Sequence, residues 1–330
     1  MITATDFITI PYTSDLTQAG IAYACRSLPY TYDRMGGSHF NRLRRIVVGV
    51  AVELAFRRRL AEEKVPHDNL GSTPFTDPDR YDIAIGGRRC DIKSFMLTRR
   101  SLIRHVSREP QALLGADALV PSDQIVSDHL NDEDLYIFAF ITALTTPNQR
   151  SLDRALKADQ PIYLIHPLPK EWAHPSRWIP LGTLALKCDT SHAVTLELGG
   201  QNESRAFMAE EIVLEPRKRA AAESDFYALG YLHTSNPPDG IVGVHSPSVG
   251  ETHLVEPIQW GNIWIYGMQI IFTGYMTRGE FRQRGNRLPA GSRVFQYSST
   301  RTENRSLPIA ELHPLSDLFT QAKKWAKRGA

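Results

Sequence analysis

Three residues with the chemistry of metal-assisted hydrolysis lie close together in the chain: Asp82, Asp91 and Lys93. Carboxylate oxygens are the ligands that hard divalent cations such as Mg²⁺ prefer. In a strand, side chains two residues apart project from the same face, so Asp91 and Lys93 are expected to point together. A cation held beside them would lower the pKa of a bound water molecule and neutralise charge on a phosphate. The spacing therefore indicates phosphodiester hydrolysis.

Glu53 is a fourth candidate, because it is the only charged residue in the apolar stretch 46–56. A buried carboxylate without a partner is strongly disfavoured, so Glu53 must reach solvent, a cation or an arginine. Apolar residues recur at spacings of three and four over residues 40–60, which predicts a helix with one buried face. Ser38 is placed to cap that helix. A metal site at a neighbouring sheet edge would provide the partner for Glu53.

A β-hairpin is expected to carry the two aspartates. Residues 80–85 and 88–95 have extended character, and Gly86 and Gly87 between them are typical of a tight turn. Asp82 and Asp91 would then lie on neighbouring strands. Two further apolar runs rich in β-forming residues predict more strands of a sheet covered on both faces, at residues 135–144 and 161–166. The first half of the chain is therefore predicted to be mixed α/β.

The second half has a different composition, with frequent proline, glycine and aromatic residues from about residue 170. It is predicted to be mainly β and to end in a helix over residues 314–328. We therefore expect two domains, residues 1–170 and 171–330. The strand candidates of the second half are residues 194–198, 211–214, 241–244 and 263–272.

The order Glu53, Asp82, Asp91, Lys93 resembles the PD-(D/E)xK nuclease superfamily, in which a helix glutamate precedes a hairpin aspartate and a D/E-x-K triplet. The resemblance covers residues 38–166 and implies a restriction-endonuclease-like mixed sheet flanked by helices. It implies that Asp82, Asp91 and the carbonyl of Ile92 chelate Mg²⁺, with Mn²⁺ as a substitute. Lys93 would orient or activate the attacking water, and Glu53 would hold a second metal or its water.

One position departs from the family pattern, because Tyr81 stands where the motif has a proline before its first aspartate. Pro78 and Asp79 form a literal proline–aspartate pair nearby, so Asp79 is an alternative first ligand. Asp82 is preferred because the isoleucines that follow it indicate a strand, whereas Asp79 lies in a turn-like stretch.

The triplet alone is a weak signal, since a second one, Glu62-Glu63-Lys64, lies at a polar helix end where a solvated charge run is expected. For Asp91 and Lys93 the structural alternative is an ion pair on an exposed sheet face, with a contribution of about 0–1 kcal/mol. The joint occurrence of helix glutamate, hairpin aspartate and strand lysine in one order favours the nuclease.

Arginines flank the candidate residues, and further arginines of the second half, from Arg278 to Arg305, are interleaved with aromatic residues. Contacts from arginine to the phosphate backbone supply most non-specific affinity for nucleic acid. Many of these arginines could equally be solvated helix and loop surfaces. The candidate DNA-binding residues are Arg42, Arg45, Arg57, Arg88, Arg89, Arg99, Arg100, Arg282 and Arg284.

Several other classes of protein have no positive signal. The three cysteines form no CxxC pair, the histidines have no ligand spacing, and neither a phosphate-binding loop nor a dinucleotide motif is present. No secretory signal and no membrane span is expected, and a reducing cytoplasm suits the cysteine content.

The resemblance thus implies a DNA endonuclease or nickase of a restriction or antiviral defence system, with partner proteins of that system. The second domain would serve DNA recognition, regulation or oligomerisation. A monomer with one site would nick DNA, and a homodimer could cut both strands. The rivals are a non-catalytic nucleic-acid-binding or scaffold protein and a hydrolase of small phosphate esters.

Overall fold

The computed structural model describes residues 2–31, 38–68, 83–125 and 131–328. The chain divides into two compact units, each assembled from separate stretches of sequence. Unit 1 comprises Met1–Gly20, Val48–Leu144 and Tyr266–Ala330. Unit 2 comprises Ile21–Val47 and Thr145–Ile265.

The helices of the described residues include the predicted long helix of the first half, whose first turn is capped by Ser38. The Ser38 hydroxyl accepts a hydrogen bond of 3.4 Å from the backbone amide of Asn41, as expected of a helix cap. The helices are α1 (Ser14–Thr31), α2 (His39–Glu62), α3 (Arg100–Arg108), α4 (Ser122–Ile125), α5 (Gln149–Lys157), α6 (Lys170–Ala173), α7 (Arg278–Arg284) and α8 (Leu315–Arg328).

Unit 1 contains a six-stranded mixed sheet and a three-stranded sheet. The six strands, in spatial order, are β1 (Ile8–Pro11), β16 (Tyr266–Thr277), β6 (Leu135–Leu144), β4 (Arg88–Leu97), β3 (Ile83–Ile85) and β2 (His67–Asp68). Only the central pair, β4 and β6, is parallel; the other pairs are antiparallel. The three-stranded antiparallel sheet consists of β17 (Asn286–Leu288), β18 (Asn304–Pro308) and β5 (Asp117–Pro121).

The predicted glycine turn joins β3 to β4. Gly86 and Gly87 have φ angles of 58° and 78°, as the two central residues of a type I′ hairpin turn require. A Cβ on Gly86 would lie 2.5 Å from an atom of the Trp325 side chain, so this position also needs glycine for space. The hairpin register pairs Ile83 with Cys90.

Both faces of the six-stranded sheet are covered, as predicted. Phe95 of β4 and Phe138 of β6 lie on one face, and Phe281 of α7 packs against Phe138 with ring centroids 5.5 Å apart. On the other face, Phe272 of β16 packs against Phe56 of α2 with centroids 5.1 Å apart. Helix α8 lies on the same face, where its Phe319 packs against Phe56 of α2 with centroids 6.3 Å apart. The long apolar strands are therefore buried from both sides.

Unit 2 is built mainly from two antiparallel sheets. Buried side chains from both sheets share one hydrophobic cluster, which includes Leu198 and Leu232 of one sheet and Leu186 and Val244 of the other. The five-stranded sheet has the order β10 (Phe207–Leu214), β9 (Val194–Gln201), β12 (Ala228–Thr234), β7 (Leu164–Pro167) and β15 (Gly261–Asn262). The four-stranded sheet has the order β11 (Arg219–Ala221), β8 (Ala185–Cys188), β13 (Val242–Ser246) and β14 (Glu251–Val255).

The units differ from the two consecutive segments, 1–170 and 171–330, that the sequence suggested. Strand β16 pairs with β1 and β6, so it joins the sheet of unit 1 although it lies late in the chain. Strand β7, expected in the first sheet, pairs with β12 and β15 of unit 2. The predicted mixed α/β class is confirmed. In the part of the chain that the structure describes, no helix is long and apolar enough to cross a membrane.

Candidate active site

Asp91 and Lys93 form the centre of the candidate site, on β4 of unit 1. Their side chains leave the same face of the strand, and Lys93 Nζ lies 2.5 Å from Asp91 Oδ2. The Lys93 ammonium also donates a hydrogen bond of 2.7 Å to Gln124 Oε1 of α4. The side chain of Asp91 is 24% exposed and that of Lys93 14% exposed, so both charges are partly withdrawn from water but remain reachable.

Tyr136 lies beside this pair, because the parallel register places it opposite Asp91 on the neighbouring strand. Lys93 Nζ is 5.8 Å from the centroid of the tyrosine ring. Burial raises the pKa of Tyr136 to about 12, and the Asp91 carboxylate adds to the effect, whereas the Arg278 guanidinium opposes it. The phenol is therefore neutral at physiological pH, and the Asp91 charge acts in surroundings of low polarity.

A buried carboxylate, Asp134, holds the backbone next to the site. Asp134 Oδ1 accepts a hydrogen bond of 3.0 Å from the amide of Arg89, and Oδ2 accepts one of 2.6 Å from the amide of Asn131. The Asp134 carbonyl accepts a hydrogen bond of 2.8 Å from the amide of Arg278. Arg278 is itself buried and donates 2.6 Å to the carbonyl of Ile125. These bonds fix the start of β4 relative to β6 and α7.

Sequence reasoning did not select Tyr136, Gln124, Asp134 or Arg278 as site residues. The apolar run of β6 predicts a strand around Tyr136 but not its neighbour, because strand pairing is non-local. Asp134 is the last charged residue before that apolar run, and this position is a weak local indication of a carboxylate at the start of a buried strand. No local pattern placed Arg278 beside Asp91, because it lies on a helix much later in the chain.

The four predicted catalytic residues are only partly brought together. Glu53 lies half-buried on α2, and α2 packs through Phe56 on the sheet face opposite to the one from which Asp91 and Lys93 project. Asp82, and its alternative Asp79, lie outside the described residues. The structure thus unites Asp91 with Lys93 and places the Glu53 helix on the other side of the sheet.

The predicted metal ligands were Asp82, Asp91 and the carbonyl of Ile92. Ile92 is half-buried in β4 between the two charged residues. Considering the described stretches alone, no group of three or more His, Cys, Asp or Glu side chains is arranged to hold a metal ion. Of the predicted ligands, Asp91 and Ile92 lie within the described residues, and the ligand set stays a prediction.

The candidate DNA-binding arginines have different environments. Arg42, in unit 2, is only 5% exposed, so as described it is not accessible to a phosphate backbone. Arg45, Arg57 and Arg89 are half-buried, and Arg100 is exposed at the start of α3. Arg88 pairs with Glu133 and lies over the Trp325 ring, and Arg99 donates to the carbonyl of Phe295. Arg282 pairs with Asp132, and Arg284 pairs with Glu311.

Comparison of the chain with protein-family models, with curated proteins and with solved structures gives no match. Function is therefore inferred from the geometry of the site itself.

Proposed function

We propose that this chain is a metal-dependent DNA endonuclease or nickase whose active site is centred on Asp91 and Lys93. The observation that carries the proposal is the arrangement of these two side chains, two residues apart on β4, 2.5 Å from each other and partly buried. A carboxylate and an ammonium group held together next to a β-hairpin are the groups that metal-assisted phosphodiester hydrolysis uses.

In this proposal Asp91 and the carbonyl of Ile92 hold Mg²⁺, and Asp82 supplies the second carboxylate. These are hard oxygen donors, which suit Mg²⁺ and, as a substitute, Mn²⁺. Asp82 precedes Ile83 in the chain, and Ile83 pairs with Cys90, the residue before Asp91. When bound, the ion lowers the pKa of a water molecule and neutralises charge on the phosphate.

Lys93 positions the attacking water and offsets the negative charge that develops on the phosphate. Two hydrogen-bond acceptors, Asp91 Oδ2 and Gln124 Oε1, hold its ammonium group in place. The low polarity created by Tyr136 and the adjoining phenylalanines strengthens the electrostatic effect of that charge. Exposed Arg100, on the helix that follows β4, is available to a phosphate backbone.

The experiment incubates purified full-length protein with supercoiled plasmid in EDTA, Mg²⁺ or Mn²⁺, together with Asp91→Asn and Lys93→Met. Glu62→Gln is the matched control, because Glu62 belongs to the other E-x-K triplet and lies exposed at the end of α2. We expect metal-dependent nicking by the wild type and the control, and a loss of about 100-fold or more in both site variants.

Nicked circles would indicate one site acting alone, and linear DNA would indicate paired sites. Cleavage retained in both folded site variants would reject the assignment. Absence of cleavage in every metal, on DNA and on RNA, would favour the rival interpretation of a non-catalytic protein in which Asp91 and Lys93 form a structural ion pair. Asp82→Asn and Asp79→Asn, tested in parallel, distinguish the two candidates for the first aspartate.

A further inference from the structure

Two histidines from different sheets of unit 2 face each other. His166 lies on β7 of the five-stranded sheet and His253 on β14, an edge strand of the four-stranded sheet. Their Nε2 atoms are 2.9 Å apart, although the residues are 87 positions apart in sequence. His166 is in register with Leu232, and His253 with Val244. Both of these partners belong to the common core, so the two imidazoles approach each other from the inner sides of the two sheets.

The ring of His166 is held as histidine ligands in metal proteins often are. His166 Nδ1 lies 3.3 Å from the carbonyl oxygen of Gln259, to which it can donate a hydrogen bond. That bond places the ring proton on Nδ1 and leaves a lone pair on Nε2, which is the way backbone carbonyls orient metal-binding histidines. The indole rings of Trp260 and Trp172 lie next to His166 and His253, with centroids 6.1 and 6.5 Å away. These rings restrict access of water to one side of the pair.

We propose that His166 and His253 together bind a first-row transition-metal ion, and that the bound ion links the two sheets of unit 2. With metal–nitrogen bonds of about 2.05 Å, the observed separation corresponds to a nitrogen–metal–nitrogen angle of about 90°. That angle belongs to neighbouring ligands in the square-planar and octahedral sites of Cu²⁺ and Ni²⁺. The rings meet nearly end to end, with centroids 5.1 Å apart, so both must turn about χ2, a soft torsion, to direct their lone pairs at one ion.

The remaining coordination positions are filled by solvent, since no third His, Cys, Asp or Glu completes a cluster among the residues that the structure describes. Binding should follow the order Cu²⁺ above Ni²⁺ above Co²⁺ above Mn²⁺. Mg²⁺ should not bind there, because it prefers oxygen ligands. This selectivity separates the histidine site from the one proposed at Asp91, and neither site depends on the other.

The test titrates untagged, EDTA-treated full-length protein with Ni²⁺ by calorimetry and with Cu²⁺ by electron paramagnetic resonance. The variants are His166→Gln and His253→Gln. The matched control is His245→Gln, because His245 lies on the adjacent strand β13 and contacts Thr252 instead of another histidine. Circular dichroism and the melting temperature of each metal-free variant establish that it is folded.

We expect one tight equivalent of Ni²⁺ in the wild type and the control, with affinity lowered at least about tenfold in either site variant. The Cu²⁺ spectrum should show two equatorial nitrogen ligands. Ni²⁺ should raise the melting temperature of the wild type and the control more than that of the two variants at the same concentration, because the ion joins both sheets. Unchanged binding in folded His166→Gln and His253→Gln, or no binding to the wild type, would overturn the proposal and leave a histidine–histidine hydrogen bond.

Discussion

Phe56 and Phe272 pack with ring centroids 5.1 Å apart, and this contact assigns α2 to one face of the six-stranded sheet. Asp91 and Lys93 project from the other face, together with Phe95 and Tyr136. Both phenylalanines are fully buried, so the contact stabilises unit 1 as well as determining which side of the sheet carries Glu53.

Phe56→Ala should reduce the free energy of unfolding by about 3–5 kcal/mol, because it removes a buried ring and leaves a cavity between α2, β16 and α8. Urea unfolding monitored by fluorescence and circular dichroism measures the change. Ile258→Ala is the control, since Ile258 is 79% exposed and its truncation should change stability by less than about 0.5 kcal/mol. Equal effects of the two substitutions would contradict the assigned packing of α2.

Gly86→Ala and Gly87→Ala separate two reasons for glycine in the β3–β4 turn. Both residues have positive φ, so each alanine should cost about 1–2 kcal/mol of backbone strain. At Gly86 the new Cβ would also meet Trp325 at 2.5 Å, whereas at Gly87 it meets nothing within 4 Å. Thermal unfolding should therefore show a larger loss for Gly86→Ala. The reverse order would place α8 away from the turn.

Glu280→Gln should lower stability at neutral pH but not in acid. Burial alone would raise the pKa of Glu280, but hydrogen bonds from the Thr277 hydroxyl and backbone amide, and from His313, hold it below its ordinary value. A carboxyl group with a lowered pKa stabilises the folded state above its unfolded pKa of about 4.3, and the contribution disappears as pH falls through the folded value.

The measurement for Glu280 compares melting temperatures of wild type and variant from about pH 7 down to about pH 3. The difference in melting temperature should shrink below the ordinary glutamate pKa. At neutral pH it should correspond to about 1 kcal/mol or less in the free energy of unfolding, because the side chain is partly exposed and screened. Glu311→Gln, which removes the exposed ion pair with Arg284, is the comparison and should have the smaller effect. A constant difference across the range would exclude a role for the ionised Glu280 carboxylate.

The three cysteines should be unreactive in the folded protein. Cys25, Cys90 and Cys188 are all buried, and burial raises the pKa of the Cys25 thiol to about 12 even though the Tyr163 hydroxyl contacts its sulfur. Because the thiolate is the nucleophile, alkylation by iodoacetamide at about pH 8 should be slow for all three and complete after unfolding in urea. Mass spectrometry of tryptic peptides gives the rate at each position. Rapid labelling of Cys25 in the folded state would contradict its burial.

The sequence alone determined the elements that depend on local patterns. Helical spacing predicted α2 and α8, the two glycines predicted the β3–β4 turn, and a continuous apolar run predicted β6. The common face of Asp91 and Lys93 also follows from sequence, because the side chains of any strand repeat every two residues. These elements can be predicted from sequence because each depends on residues only a few positions away in the chain.

Only the tertiary structure decided which strands pair and which distant side chains meet. It assigned β16 to the sheet of unit 1 and β7 to unit 2, and it brought Tyr136 and Gln124 to the candidate site and His166 to His253. An apolar strand pattern shows which faces are buried but not which strand lies alongside, since many registers bury the same area. The choice among them depends on how the whole core packs, which no single stretch of sequence contains.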